Sequence, residues 1–303
     1  MIKNLKEEVT KFVDMRKAQT ERVTFTLTKE NIGNAYITII KDKTDGSTPS
    51  DVYVRNKTKK LRERLGENFV HIIEIDETTD LGSLIQKESD NKDCVGLIAQ
   101  KPSIHYSDGA IQMLCAIHLD PDKDIDSITP KPLGDIIALE STRSLPLTAR
   151  GMIKFLDHLM NNCQTHGKVA TVIGRSVIVG KPTVMALINR GYSVFSANSR
   201  TDRAILKDML LRSDVIISAV GKHGVISNNY IKPGAIILDV GINRDENGKL
   251  CGDLRIDDTG SLDFSYTPVP GGIGKITSNE FYCKVIKMAY DHVFGGNKQW
   301  QMN

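Results

Sequence analysis

One stretch near the middle of the chain, residues 168–182, constrains the fold most strongly, because it joins an apolar run to a glycine-bearing turn and a helical pattern. The run 169–173 has the length and the branched side chains that are typical of a buried parallel strand. Gly174, Ser176 and Gly180 follow with the spacing G-x-S-x-x-x-G. A strand, a glycine turn and a helix place backbone N–H groups where they can bind a phosphate. The stretch therefore indicates a nucleotide site, although many such joints carry no ligand.

Short apolar runs alternate with helical patterns along the rest of the chain, which favours parallel sheets. We predict strands at 35–40, 69–75, 95–99, 169–173, 193–197, 215–219 and 235–240. We predict helices at 1–20, 51–66 (capped by Asp51), 81–86, 110–117, 148–160 (capped by Thr148), after 182, from 201, and at 278–294. The pattern restarts near Ser144. The expected fold is α/β with two domains, an N-terminal αβ domain at 1–145 and a Rossmann-like doubly wound domain at 146–275. The C-terminal helix, within 276–303, is expected to return to the first domain.

Composition narrows the range of partners and cofactors. The net charge of +3, from 40 basic and 37 acidic residues, gives no broad surface for nucleic acid. The charged N-terminus and the absence of a long apolar run predict neither a signal peptide nor a membrane span. Five scattered cysteines predict reduced thiols in the cytoplasm, and the seven histidines show no metal-ligand spacing. We therefore expect no nucleic-acid partner, no membrane partner and no metal.

The residues after the predicted strand 193–197 bear on the choice of dinucleotide. An NAD site usually places an acid there, where it accepts a hydrogen bond from the ribose 2′-hydroxyl. This chain has Ser199 and Arg200 instead, with Arg175 in the glycine turn. A hydroxyl and guanidinium groups suit a 2′-phosphate and favour NADP. Asp202, two residues further on, keeps NAD open as the alternative.

Six segments match, in order and spacing, a pattern seen in one enzyme family. They are YVRNK at 53–57, GRSVIVGKP at 174–182, SDVIISAVGK at 213–222, IKPGAIILDVGIN at 231–243, GD at 252–253 and TPVPGGIG at 267–274. With these segments the chain resembles the bifunctional methylenetetrahydrofolate dehydrogenase/methenyltetrahydrofolate cyclohydrolases. The resemblance implies a folate-binding domain, an NAD(P) domain, a cleft between them and a homodimer.

The resemblance also implies roles for individual residues. Lys57 corresponds to the catalytic lysine, Tyr53 to a tyrosine that stacks on the folate, and Gln100 to the glutamine that hydrogen-bonds the lysine. Asp126 corresponds to the aspartate that binds the pterin edge. The implied cofactor positions are Gly174, Arg175, Ser176, Gly180, Ser199, Arg200, Ala219, Gly221 and Ile242, and the implied substrate loop contains Pro268, Pro270, Gly271 and Gly272.

Without the resemblance, the same side chains have ordinary interpretations. Lys57 is then one more exposed lysine of a basic helix, Tyr53 a half-buried core aromatic, and Asp126 a solvated turn acid. The Pro/Gly loop at 267–275 is then a plain connector.

Several positions depart from the family pattern. Lys101 and Ile104 stand in QKPSI where the family has Q-L-P-L-P, and Ala149 ends PLTA where it has P-C-T-P. Ser127 replaces the glycine after the pterin aspartate, and Lys275 replaces a proline. These departures leave two alternatives open, a dehydrogenase without cyclohydrolase activity and a non-catalytic folate- or nucleotide-binding protein.

Overall fold

The structure, a computed structural model, describes residues 2–46, 48–160, 165–256 and 263–295. They form two compact units, which we call the large-sheet unit (residues 2–15 and 133–277) and the small-sheet unit (residues 16–132 and 278–295). The sequence suggested boundaries at 145/146 and 275/276. The structure instead groups 2–15 and 133–145 with the large sheet.

The elements are numbered in chain order. The strands are β1 Ile2–Asn4, β2 Tyr36–Asp42, β3 Val70–Ile75, β4 Cys94–Ala99, β5 Val169–Ile173, β6 Ser193–Ala197, β7 Val215–Ser218, β8 Ile226–Ser227, β9 Ala235–Asp239, β10 Asn243–Arg244, β11 Leu250–Cys251, β12 Leu254–Arg255 and β13 Phe264–Tyr266. The helices are α1 Lys6–Val23, α2 Pro49–Leu65, α3 Leu81–Asp90, α4 Asp108–His118, α5 Pro130–Ala138, α6 Leu147–Leu159, α7 Gly180–Ile188, α8 Arg203–Arg212 and α9 Ile273–Phe294.

The large-sheet unit is built on a six-stranded sheet in the order β1-β13-β9-β7-β5-β6, with every neighbouring pair parallel. From β5 the chain passes through α7 to the edge strand β6, and then through α8 to β7 on the other side of β5. Strand order reverses at this point, so a crevice opens at the carboxyl end of β5. The buried residues Val172, Ile217 and Leu238 pack in the core of this unit. The predicted doubly wound α/β fold is confirmed.

The first residues of the chain differ from the single predicted helix at 1–20. Ile2–Asn4 form β1, which pairs with β13 in parallel register. Leu5 and Val9 are buried in the core of the large-sheet unit, where the Phe12 ring lies 5.3 Å from that of Phe155. Because Leu5, Val9 and Phe12 are buried in that core, residues 2–15 belong to the large-sheet unit.

The small-sheet unit contains a three-stranded parallel sheet in the order β3-β2-β4. The central strand β2 is buried along most of its length, with Ile37 and Ile39 fully enclosed. Parallel strands end at the same edge of a sheet, so the residues after β2 and β4 lie at one edge. Residues 278–294 of α9 also belong to this unit.

Two predicted helix caps are wrong. Thr48, and not Asp51, caps α2: its side chain accepts from Asp51 N–H, and the Asp51 carboxylate accepts from Thr48 N–H at 3.0 Å. This reciprocal pair is a capping box, in which the acid stands at the third helical position. Helix α6 begins directly after Pro146 rather than at Thr148. Helix α5 had no counterpart among the predicted elements.

The four described cysteines are free thiols. Cys94, Cys115 and Cys283 are buried and Cys251 is partly exposed, while Cys163 lies outside the described residues. No helix in the described ranges combines the length and apolar character needed to cross a lipid bilayer. Within the same ranges, no group of three or more histidine, cysteine or acidic side chains is arranged to hold a metal ion.

Candidate active site and cofactor site

Lys57 is the centre of the site in the small-sheet unit. It lies on α2, is only 7% exposed, and its amine donates to Gln100 Oε1 at 3.0 Å. Gln100 follows β4, where its backbone N–H donates to Ile40 O at 2.8 Å. Its side-chain amide nitrogen donates to Lys101 O at 2.9 Å, which leaves the amide oxygen for the lysine. The strand end therefore fixes both the place and the orientation of the hydrogen-bond acceptor.

Two aromatic rings flank the Lys57 amine. The ring centroid of Tyr53, one helical turn earlier on α2, lies 5.0 Å from Nζ, and that of Phe281 on α9 lies 4.9 Å away. The Tyr53 hydroxyl is hydrogen-bonded to Ser278, also on α9. Burial, reinforced by the charge of Asp126, raises the pKa of Tyr53 to about 12, so its hydroxyl keeps its proton. Tyr53 is more than one-third exposed and can still stack on a flat ligand.

The surroundings of Lys57 act on its proton in opposite directions. Burial lowers the pKa of the amine, because an ammonium loses its hydration in a low-dielectric site. The carboxylate of Asp126 acts the other way and favours the ammonium. Burial is the larger influence, so the pKa of Lys57 lies below that of an ordinary lysine. Such an amine can both release and take up a proton during a reaction.

Asp126 lies in a tight turn after α4. Burial raises the pKa of its carboxyl, and the cations around it, Lys57 foremost, oppose that rise. Asp124, two residues earlier, is 3% exposed, and its carboxylate accepts from the N–H groups of Ile128 and Thr129, each at 2.7 Å. The turn is thus held partly by its own hydrogen bonds, and the Asp126 carboxylate lies close enough to Lys57 to interact with its charge.

Helix α9 carries three contact residues that the sequence analysis did not identify. Ser278, Phe281 and Lys284 follow one another at intervals of three residues, so they lie along one face of the helix. The Lys284 amine donates to Asp124 O and to Ser127 Oγ, both at 2.7 Å. The three-residue spacing was visible in the sequence, but it is common to amphipathic helices and does not single out a ligand site.

The departures from the family pattern have different surroundings. Ser127 adopts a left-handed φ of 55° and accepts a hydrogen bond from Lys284. Ile104 is 80% exposed. Ala149 is fully buried in the core of the large-sheet unit, and the Lys275 amine donates to Thr10 Oγ1 at 3.0 Å.

The glycine turn of the large-sheet unit is closely packed backbone. Gly174 has a φ of 116°, and a Cβ there would lie 2.7 Å from Ala219 O. A Cβ on Gly180, where α7 begins, would lie 2.0 Å from Gly174 O. Ser176 Oγ accepts from the N–H groups of Val179 at 3.1 Å and Gly180 at 3.4 Å. A side chain at either glycine would fill the turn. Without one, a pyrophosphate can approach the backbone N–H groups of the turn and of the helix N-terminus closely.

The end of β6 carries the candidate residues for the ribose phosphate. The Arg175 guanidinium donates to Ser196 Oγ at 3.2 Å and to Ser196 O at 2.8 Å. Ser199 and Arg200 are exposed in the turn that follows. The Asp202 carboxylate accepts from the N–H groups of the first turn of α8, at 2.8 and 3.3 Å. This acid caps a helix, which reduces its capacity to accept from a ribose hydroxyl.

Two buried acids, Asp239 and Asp253, organise the ends of β7 and β9. Asp253 is fully buried and accepts from the Ser218 hydroxyl at 2.6 Å and from the N–H groups of Val220 and Lys222 at 3.0 and 2.8 Å. Asp239 accepts from the N–H group of Asp253 itself at 3.0 Å. The sequence analysis matched these segments to the family without assigning either acid a role.

The other candidate cofactor and loop residues also lie in the large-sheet unit. Ala219 and Gly221 follow β7, and Ile242, which follows β9, is 73% exposed. An apolar side chain left so open at the carboxyl edge of a parallel sheet suits contact with a ligand. In the loop at 268–272, a Cβ on Gly272 would lie 2.4 Å from Pro268 O, and Pro270 and Gly271 lie between them.

The candidate residues therefore form two groups. Tyr53, Lys57, Gln100 and Asp126 come together in the small-sheet unit, and the candidate cofactor residues and the Pro/Gly loop belong to the large-sheet unit. A doubly wound sheet with a glycine turn at its switch point, together with a second αβ unit that holds a buried lysine, defines a class of dinucleotide-binding two-unit α/β proteins.

Comparisons with known proteins identify the family. The family model for the tetrahydrofolate dehydrogenase/cyclohydrolase NAD(P)-binding domain matches residues 146–293. The bifunctional protein FolD of Streptococcus sanguinis is 36% identical over 237 residues, which are 77% of this chain and 80% of the relative. That of Bacillus subtilis is 35% identical over 79% of this chain and 82% of the relative. The crystal structure of the bifunctional FolD methylenetetrahydrofolate dehydrogenase/cyclohydrolase of Campylobacter jejuni has a TM-score of 0.77 and 26% identity, covering 95% of this chain and 98% of that one. The chain belongs to the tetrahydrofolate dehydrogenase/cyclohydrolase family.

Proposed function

We propose that this protein oxidises 5,10-methylenetetrahydrofolate with NADP to 5,10-methenyltetrahydrofolate and then hydrolyses the product to 10-formyltetrahydrofolate. The observation that carries the proposal is the buried Lys57 amine, hydrogen-bonded to Gln100 and flanked by Tyr53 and Phe281. Lysine is almost never buried without a functional or paired environment. A binding protein, or a dehydrogenase alone, would not need a lysine whose pKa is lowered in this way.

The first step needs proximity and orientation more than acid–base groups. NADP, when bound, accepts the hydride from the methylene carbon of the folate. Gly174 and Gly180 would let the backbone approach its pyrophosphate, and Arg175, Ser199 and Arg200 would meet its 2′-phosphate. The engagement of Asp202 as a helix cap supports NADP over NAD. Ala219, Gly221 and Ile242 would line the nicotinamide end.

The folate is held mainly by two side chains of the small-sheet unit in this proposal. Tyr53 would stack on the flat pterin, since its ring is partly exposed and its hydroxyl is fixed by Ser278. The carboxylate of Asp126 would accept two hydrogen bonds from the aminopyrimidinone edge of the pterin. The loop Pro268, Pro270, Gly271 and Gly272 would contribute backbone contacts to the substrate.

The second step requires proton transfers, and we assign them to Lys57. Water adds to the methenyl carbon and loses one proton. The ring opens when a C–N bond breaks and its nitrogen takes up a proton, and the hydroxyl left on the carbon loses its proton to solvent as it becomes the formyl carbonyl, so that one proton is released overall. A neutral Lys57 amine would take the proton from water and return it to the leaving nitrogen. The cationic methenyl group disfavours a neighbouring ammonium, which adds to the effect of burial on the Lys57 pKa. Gln100 would keep the amine aimed at the reacting carbon.

The proposal also covers the cellular location and the oligomeric state. A cytoplasmic location is supported by the free thiols of the four described cysteines. A homodimer is expected from the family resemblance, and sedimentation at several protein concentrations would test it.

Two absorbance assays on the purified protein test the function. The first follows reduced cofactor formed from methylenetetrahydrofolate with NADP or with NAD, and the second follows the loss of methenyltetrahydrofolate above the uncatalysed rate. Both activities, with a preference for NADP, are the expected result. Oxidation without hydrolysis would support the dehydrogenase-only alternative. Activity in neither assay would leave a non-catalytic binding protein and overturn the proposal.

A further inference from the structure

One face of helix α9 contacts three parts of the candidate folate site in the small-sheet unit. Ser278 is hydrogen-bonded to Tyr53, Phe281 lies against the Lys57 amine, and Lys284 reaches the turn that carries Asp126. Ser278 and Phe281 contact Tyr53 and Lys57, whose proposed roles are given above. Lys284 is different, because it brings a positive charge to the turn that would bind the pterin.

The Lys284 amine is bonded to both sides of Asp126. It donates to the backbone oxygen of Asp124 and to the Ser127 hydroxyl, each at 2.7 Å. Ser127 adopts a left-handed φ of 55°, a conformation that costs a non-glycine residue free energy unless its surroundings hold it. The family has a glycine here, so the serine hydroxyl gives this chain an acceptor for Lys284 that the family pattern lacks.

The charges that face Asp126 come from several elements. Lys57 on α2 has the largest effect among the cations, followed by Lys284 on α9 and Lys101 after β4, while the carboxylate of Asp124 opposes them. The Tyr53 hydroxyl also faces Asp126, as does the buried thiol of Cys115 on α4, and burial keeps both neutral by raising their pKa values.

Lys57, the cation with the largest effect on Asp126, must also give up its charge in the proposed reaction. Water activation needs Lys57 as a neutral amine, and burial already lowers its pKa. When Lys57 gives up its proton, Asp126 loses its strongest cationic neighbour while it is still in a site that favours the protonated acid. Lys284 is the next cation in order of effect.

We propose that Lys284 is a positioning residue for the folate, which fixes the Asp126 turn and keeps Asp126 a carboxylate when Lys57 is neutral. This inference rests on the proposed function, since it assigns Asp126 to the pterin. Lys284 itself touches neither folate nor cofactor in this account. Its effect therefore falls on folate affinity and on the pH at which Asp126 becomes protonated, and it leaves the affinity for NADP unchanged.

Steady-state kinetics over a range of pH test the proposal with Lys284→Met, which keeps most of the apolar stem and removes the charge. We expect the KM for methylenetetrahydrofolate to rise on the order of 10-fold at neutral pH, as for a lost hydrogen bond to a charged group. The acid limb of kcat/KM should move to higher pH, because Asp126 then takes up a proton more readily. The KM for NADP should stay at the wild-type value.

Three variants separate charge from mere support of the turn. Lys284→Arg keeps the cation and should leave the acid limb near its wild-type position. Ser127→Gly removes one acceptor, suits the left-handed backbone and keeps the ammonium, so it should also leave the limb in place. Lys287→Met removes the same charge one turn further along α9, where it acts on Asp291, and should match wild type. A KM that rises equally at every pH in Lys284→Met, or a limb that moves equally in Ser127→Gly, would overturn the proposal.

A titration without turnover keeps this test separate from that of the proposed function. NMR of protein carrying ¹³C-labelled aspartate, with Asp126→Asn to assign the signal, reports the pKa of Asp126 directly. That pKa should be higher in Lys284→Met than in wild type and unchanged in Lys287→Met. An unchanged Asp126 pKa in Lys284→Met would disprove the role of Lys284, whereas a wild-type protein without either activity would disprove the proposed function.

Discussion

The chemistry that we propose for this protein depends on the Lys57 amine. Its hydrogen bond to the Gln100 amide oxygen fixes its direction, and two aromatic rings flank it. Both rings would stabilise a cation, as would Asp126, and yet burial is the larger influence on its pKa. With its pKa below that of an ordinary lysine, the amine gives up a proton more readily, which is the property that the proposed hydrolysis requires and hydride transfer does not.

Replacement of Lys57 by Met should therefore separate the two activities. The change keeps the apolar stem and removes the amine, so cyclohydrolase activity should fall on the order of 10²-fold or more, as for a missing acid–base group. Dehydrogenase activity should survive at a reduced level, because the lysine also helps to orient the folate. Lys60→Met, an exposed position on the same helix, is the matched control. If the Lys57→Met enzyme consumed methenyltetrahydrofolate at the wild-type rate, another group would have to move the proton.

At the same scale, we expect Arg175 to set the preference between NADP and NAD. Its guanidinium is already oriented by Ser196, so little of its side-chain freedom remains to be lost when a phosphate binds. Arg175→Ala should raise the KM for NADP on the order of 10-fold and change that for NAD little, because only NADP carries the 2′-phosphate. Arg212→Ala, which removes an exposed arginine paired with Asp208, is the control. An unchanged ratio of the two KM values would place the 2′-phosphate elsewhere.

At the scale of elements, two buried acids, Asp239 and Asp253, hold the backbone at the ends of the parallel strands β7 and β9. Asp239, at the end of β9, accepts from the N–H groups of Gly241, Asp253 and Leu254 at 3.0, 3.0 and 2.9 Å. A Cβ on Gly252 would lie 2.0 Å from its carboxylate, so only a glycine fits there. These bonds shape the backbone from which Ile242 extends.

The burial of Asp239 should make folding stability depend on pH. Burial, with repulsion from Asp253 as a smaller contribution, raises the pKa of Asp239 to about 6 from 3.8. The folded protein then binds more protons than the unfolded chain between these values. Its contribution to the free energy of unfolding is greatest at low pH and declines as pH rises through that window, by about 3 kcal/mol at most.

Urea unfolding of wild type and of Asp239→Asn at several pH values measures this contribution. The asparagine cannot titrate, so the stability of wild type relative to the variant should fall as pH rises from about 4 to about 6. Asp208→Asn, at an exposed position on α8, should run parallel to wild type over the same range. Parallel curves for Asp239→Asn as well would mean that Asp239 has an ordinary pKa in the folded state.

The elements that could be predicted from sequence are those with a strong local signal. Buried parallel strands such as β5 and β7 are short apolar runs that stand out from polar flanks. Strand β1 has three residues, IKN, and exists only because β13 pairs with it, so no local pattern could reveal it. The α2 cap was misplaced by three residues, because Thr48 and Asp51 are both good capping residues and only their reciprocal bonds distinguish them.

At the scale of the whole molecule, the sequence predicted the fold class and the group of Lys57 with Tyr53, Gln100 and Asp126, but for different reasons. The fold follows from alternating patterns that any parallel α/β protein shares. The site depended on resemblance, because a lysine, a tyrosine, a glutamine and an aspartate scattered over 53–126 have no spacing that marks them as neighbours. Lys284 remained hidden, because nothing in its surrounding sequence indicates the turn it contacts.

The assignment of folate to one unit and of NADP to the other can be tested with each ligand alone. Hydrogen–deuterium exchange with saturating NADP should slow exchange mainly in 170–183, 196–203 and 217–222, the segments that would bind the dinucleotide. A non-reactive folate analogue should instead protect parts of α2, the segments 99–104 and 123–130, and α9 from 278 onwards. Each ligand, at a free concentration of 100 times its dissociation constant, should also raise the free energy of unfolding by about 2.7 kcal/mol, provided the unfolded chain does not bind it. Protection by NADP centred on α2 would contradict the assignment, because that helix carries Tyr53 and Lys57 and would then belong to the cofactor site.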